Sequence, residues 1–186
     1  MVRSRISNVH HVHESKLTLQ IAALLLLNDV TLSSPELQKL VAFENAFDRV
    51  FSLMQAEGSL LHGGIIVQEC LSLLAILLQL NAHNQSLFRE TGFVSRLTQL
   101  LVDTLHEQQT ENAVADDPST EKNLWGFLAL IRLFLVHGNL GTQANQLAFE
   151  KHSLLQQVLN LAFGFTTSVA IRAEVGARQS AAVPVS

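Results

Sequence analysis

Residues able to do chemistry fall into three groups in this chain. Gly58-Ser59-Leu60-Leu61-His62-Gly63 has the glycine spacing of a phosphate-binding loop, eight histidines offer metal ligands, and Cys70 offers a thiol. A nucleotide loop needs a lysine that reaches the phosphates, and then a Ser or Thr hydroxyl on Mg²⁺. Gly64 and Ile65 stand at those two places. The residues before Gly58 also have helical rather than strand spacing. The loop therefore reads as a joint between two helices, with glycines for left-handed or closely packed backbone. His10, His11 and His13 cluster without a carboxylate or cysteine partner at ligand spacing. His62, His83, His106, His137 and His152 fall at expected helix ends, where an imidazole meets terminal carbonyls or water. Cys70 shares a helical face with Ile66, Leu73, Leu74 and Leu77, so it reads as a small buried hydrophobe. No catalytic, metal or cofactor-binding residue is assigned, and the chain reads as non-enzymatic.

Composition narrows the class. The chain has 186 residues, enough for one domain with a real core. Charged residues make up 15%, where about 25% is usual, and the mean hydropathy is +0.26. Such a surface expects neighbours. A net charge of −4 without a basic cluster argues against nucleic-acid binding. The apolar runs Leu19–Leu27 and Leu124–Val136 are broken by Asn28-Asp29 and Arg132, short of the roughly 20 residues of a membrane span. The N-terminus has no signal-peptide core. One cysteine excludes an internal disulfide and fits a reducing compartment. These features predict a cytoplasmic chain without a transmembrane segment.

Helical spacing dominates the pattern. A first helix is predicted over Lys16 to Asn28. Ser34-Pro35-Glu36 opens a second helical stretch that reaches Met54 and stops at Gly58, with Ser34 as N-cap and Pro35 at the first position. Further helices are predicted over Ile65–Leu80, Phe93–Leu105, Thr120–Val136, Gln143–Glu150 and Ser153–Ala162. Glu107 to Glu121 is polar and acidic and reads as an exposed loop. Residues 1–15 read as a flexible N-terminal segment, 16–175 as the helical domain, and 176–186 as a disordered tail. Eight phenylalanines (Phe43, Phe47, Phe51, Phe88, Phe93, Phe127, Phe134, Phe149) and Trp125 read as core. Trp125 is followed four residues later by Ala129, so the Trp-x-x-x-Asn ladder of peptide-gripping armadillo grooves is missing.

Asn84-Gln85-Ser86-Leu87-Phe88 has a counterpart in Asn145-Gln146-Leu147-Ala148-Phe149, and Phe43-Glu44-Asn45-Ala46 occupies a similar place one unit earlier. With the acidic stretch set aside, the period approaches the ~40–47 residues of armadillo and HEAT repeats. The fold class that follows is an all-α, armadillo-like α-solenoid of about three to four helical repeats, with a generic helical bundle as the alternative.

Particular segments carry more than the period. Leu37 to Phe51 (LQKLVAFENAFDRVF), Gly64 to Leu71 (GIIVQECL) and Asn84 to Glu90 (NQSLFRE) resemble, in order and spacing, the armadillo head of the general vesicular transport factors. These are long coiled-coil tethers acting between the endoplasmic reticulum and the Golgi. The likeness covers roughly residues 16–165 and lacks the coiled-coil tail of that family, as an internal piece would. It implies vesicle tethering, contact with Rab-type GTPases or other tethering factors, and peripheral association with Golgi or vesicle membranes. Polar residues on apolar elements are the candidate partner contacts: Asn45, Asp48, Arg49, Gln68, Glu69, Arg89 and Glu90. The same fold serves adaptors and transport receptors unrelated to vesicles, and a nucleotide-binding enzyme is a third reading. Self-association is a further expectation, since a piece cut from a solenoid exposes apolar faces.

Overall fold

A computed structural model of the chain describes residues 2–110, 118–136 and 141–163, with the side chains of 14–108 in the first of these. Its helices are α1 (Val2–Leu32), α2 (Pro35–Phe43), α3 (Ala46–Ala56), α4 (Ser59–His62), α5 (Ile65–Leu78), α6 (Ala82–Glu90), α7 (Phe93–Thr110), α8 (Pro118–Leu135) and α9 (Thr142–Lys151). A final α10 spans Leu154–Phe163. No strand occurs among the described residues. Ser34 caps α2 as expected, its side chain accepting from Leu37 N–H, with Pro35 next. Two boundaries differ from expectation. α1 begins at Val2 rather than Lys16. The acidic stretch is helical at both described ends: α7 runs on to Thr110 through good helix formers such as Glu107 and Gln108, and α8 starts at Pro118. Residues 111–117, His137 and the tail lie outside the described residues.

α5 is the centre of the molecule, with α1 on one flank, α8 on the other and α3 behind it. α8 runs in the same direction as α5. Asn123 bonds the carbonyl of Gly63, just before α5, while Gly126 lies against Leu71 further along. A repeating unit emerges: a short helix, an amphipathic helix, then a long apolar helix (α2–α3–α5 and α6–α7–α8), with α9 and α10 beginning a third. This is an armadillo-like α-solenoid.

Two devices tie the units together. One is aromatic. Phe47 meets Phe88 edge-to-face at 5.1 Å, Phe88 meets Phe134 at 5.4 Å, and Phe134 meets Phe149 at 5.3 Å. Phe47, Phe51, Phe88, Phe93, Phe127, Phe134 and Phe149 are buried as expected, but Phe43 and Trp125 are not: they are 79% and 69% exposed. Phe43 is the last residue of α2 and Trp125 lies on the outer stripe of α8, so neither faces the next layer.

The other device is polar and explains the repeated Asn-Gln pair. Each long helix ends with free carbonyls, and the following short helix supplies side-chain amides to them. Gln38 donates to Thr31 O, Gln85 to Leu78 O, Asn84 to Leu77 O and Asn145 to Phe134 O. These amides also bond across units. Asn84 reaches Gln38 O, Asn81 reaches Gln38 Oε1, and Asn145 reaches Gln85 Oε1. Gln38, forty-seven residues before Gln85 in sequence, is thus the true first-unit counterpart, and Phe43, exposed, is no match for buried Phe88.

α1 modifies one expectation further. Its segment Glu14–Leu32 is long and apolar enough by composition to cross a membrane. One side is committed to protein: Leu24, Asn28 and Thr31 are buried, and Asn28 donates to the Glu69 carboxylate at 2.8 Å. The flank opposite α5, with Leu19, Leu26 and Val30, is exposed.

Candidate functional site

The glycines that resemble a phosphate loop form a packed joint. Gly58, at φ +97°, takes the left-handed conformation before α4, and a single turn of helix separates it from Gly63. Gly63 has an ordinary φ of −70°; what it requires is space. A Cβ there would lie 2.3 Å from Ser59 O and 2.3 Å from a methyl of buried Val67. Its carbonyl accepts from Asn123 at 2.6 Å, so α8 is seated on this joint. Gly63→Ala is therefore expected to destabilise the fold by about 1–3 kcal/mol through overpacking. A urea midpoint equal to that of the unchanged chain would refute this. Cys70 is 0% exposed. Burial, with smaller contributions from Glu57 and Glu69, pushes its thiol up to about 12, so it stays protonated and unreactive near neutral pH.

The concavity that does bring candidate residues together lies between the first two units. The α2–α3 joint is tight. Asn45 takes φ 64°, ψ 31°, a left-handed conformation that asparagine tolerates better than most residues. Its N–H bonds Ala42 O at 3.2 Å. This turn leaves Phe43 standing at the edge of a cleft of about 400 Å³ whose lining includes Phe47, Leu87 and Phe93. Asn45, Asp48, Thr91 and Arg96 form its polar part. Arg96 is held from three sides. It pairs with Asp48, and its guanidinium lies 5.1 Å from the Phe51 ring centre and 5.4 Å from that of Phe93. Cation–π contacts of this kind favour a fixed orientation. An apolar floor with a few oriented polar groups can hold an inserted side chain; its one ion pair is already satisfied.

Of the seven candidate contacts, Asn45 and Asp48 share this cleft. Arg49 and Glu90 are exposed outside it. Glu69 is engaged with Asn28 in the α1–α5 contact, and Arg89 with Asn145 and Ser86 in the joint to α9. Gln68 is half-buried on the outer stripe of α5. Phe43, Thr91 and Arg96 were not among the expected contacts. Asn45 carried the signal for Phe43, because an asparagine between two apolar helical runs marks a turn that can strand the end of the preceding helix, two residues back.

Stacked units of short, amphipathic and long helix, with a cleft between the first two, define an armadillo-like scaffold of the kind that presents extended binding surfaces. No protein-family model matches the chain. It is 38% identical over 162 residues to the intracellular protein transport protein Uso1 of Saccharomyces cerevisiae, covering 87% of this chain and 9% of that one. It is 34% identical over 152 residues to the general vesicular transport factor p115 of Bos taurus, covering 80% and 15% respectively. The fold superposes on a crystal structure of Uso1, designated Uso1-2, with a TM-score of 0.69 and 40% identity, over 77% of this chain and 21% of that one. The chain is a homologue of the Uso1/p115 vesicular transport factors, and it spans a small fraction of their length.

Proposed function

We propose that this chain is a non-enzymatic scaffold segment of a vesicle-tethering factor in ER-to-Golgi or intra-Golgi transport. The observation that carries the reading is the 38% identity with Uso1 over 87% of the chain. On this reading the segment works at the cytoplasmic side of Golgi or vesicle membranes, held there through proteins. Its partner is a Rab-type GTPase or another tethering factor, which places an apolar side chain in the cleft beside Phe43 and Asn45. Arg49 and Glu90 serve as outer contacts, Gln68 belongs to the separate outer face of α5, and Glu69 to the contact with α1. The apolar flank of α1 is the surface through which copies of the chain would self-associate.

Purified Rab GTPases, in GTP-analogue and GDP forms, and Golgi tethers are the test panel for the immobilised chain. Binding by at least one is expected, weakened about tenfold by Phe43→Ala, as for an anchor removed from an interface. Phe43 is largely exposed, so that variant should keep the fold by far-UV circular dichroism. Binding unchanged in Phe43→Ala would remove the cleft from the reading. Saturable binding only to a partner unrelated to vesicles, or to ATP or GTP, would overturn the tethering assignment itself.

A further inference from the structure

On the far side of the row from the second layer, α8 carries a feature that the cleft does not use. Trp125, Ala129 and Arg132 follow one another at intervals of four and three residues, a single helical stripe. All three are exposed, Trp125 by 69%. Lys122, also exposed, continues the stripe one turn before Trp125. α5 lies alongside in the same direction, and its own outer stripe carries uncharged Gln68 and Ser72. Both helices are backed by other helices, α3 behind α5 and α4 against α8. Gly126, next to Trp125, lies against Leu71, next to Ser72, so the two stripes are neighbours.

An indole left in water is uncommon in a chain with one tryptophan. Here the small side chain of Ala129, one turn on, leaves its flank uncovered. Two basic side chains flank it in a chain of net charge −4. Lys122 and Arg132 are separated by ten residues, about 15 Å along the axis, with Trp125 between them. Glu121, also exposed, stands four residues before Trp125 on the same stripe; it lies in the first turn of α8, where the helix dipole favours it, and about 16 Å from Arg132.

We propose that this face binds an acidic peptide segment of a protein partner, with an apolar side chain of that segment against Trp125. The span of about 15 Å corresponds to roughly four to five residues of extended chain. The recognised pattern is thus two acidic residues that far apart, meeting Lys122 and Arg132, with an aromatic or aliphatic residue between them. Neutral Gln68 and Ser72 on α5 supply amide and hydroxyl groups for the peptide backbone, without repelling its charge.

Trp125 is the only tryptophan, so its emission reports this face alone. The probe is a peptide of about ten residues carrying one phenylalanine between two glutamates at that spacing. Titrated into the whole chain, it should shift the emission to shorter wavelength saturably and protect the indole from acrylamide. Arg132→Glu should weaken binding about tenfold or more, as loss of a charge match does, and raising salt should weaken it too. Trp125→Phe, followed by anisotropy of a labelled peptide, should weaken binding with an unchanged circular dichroism spectrum. Phe43→Ala acts on the other cleft and should leave it unaltered. Equal binding of a peptide with lysines in place of the glutamates, or indifference to Arg132→Glu, would overturn the proposal. So would an indole that responds to phosphatidylserine vesicles and not to the peptide.

Discussion

Replacing Phe88 by alanine is expected to cost about 3–5 kcal/mol, the range for deleting a fully buried aromatic side chain. Phe88 is 0% exposed and touches Phe47, Phe51, Phe93 and Phe134, with ring centres 5.1–6.2 Å away. Among the described residues it is the only ring in the stack that joins the first unit to the α8 ring Phe134. The stability of a solenoid is roughly a sum of unit terms and interface terms, so this one truncation should loosen coupling as well as lower stability. Urea unfolding should show an earlier midpoint and a shallower transition, the sign of lost cooperativity. Phe43→Ala is the matched control, since that ring stands in solvent and surface changes are usually within about 0.5 kcal/mol. Equal midpoints for the two variants would show that the ring stack does not carry the inter-unit contact.

Asn84→Asp should be similarly damaging although it changes almost no volume. The Asn84 amide donates to Leu77 O and Gln38 O at 2.8 and 3.1 Å and is 0% exposed. A carboxylate there has no proton to donate and faces two carbonyl oxygens. An uncompensated buried charge costs about 3–5 kcal/mol. The position is in the first turn of α6, but the helix dipole returns only about 0.3–1 kcal/mol, so the loss prevails. The pH dependence has a definite sign. Burial against carbonyls raises the folded-state pKa of this aspartate above its unfolded value of about 3.9. The folded state then binds the proton more tightly, and the penalty shrinks as pH falls through the folded pKa. Thermal melts of the variant and the unchanged chain, compared at pH 8 and pH 5, should differ less at pH 5. A penalty that grows on acidification would contradict the donor role of Asn84.

The seven proposed contacts divide by what the fold does with them. Glu69 and Arg89 look like surface charges in a linear reading, yet each closes a joint, one to α1 and one to α9. The partners, Asn28 and Asn145, are 41 and 56 residues away in sequence, and no local pattern announces them. Asn45 and Asp48 do reach a cleft, through a turn that the asparagine itself permits. Arg96 completes the site from the neighbouring unit, across 48 residues.

Local chemistry therefore determined much of this protein by itself. The 3.6-residue apolar spacing, Ser34-Pro35 at a helix start and the Asn-Gln repeat were enough for an all-α solenoid, because period and capping act within a few residues. The missing lysine and hydroxyl after Gly63 likewise separated a helix joint from a phosphate loop. Only the tertiary structure decided which apolar residues are left outside. Phe43 and Trp125 have the composition of core, and helical spacing cannot distinguish a stripe that meets another helix from one that meets water. That depends on which flank of each helix the next unit covers. It is why the two aromatic residues read as packing became the centres of the two proposed binding faces.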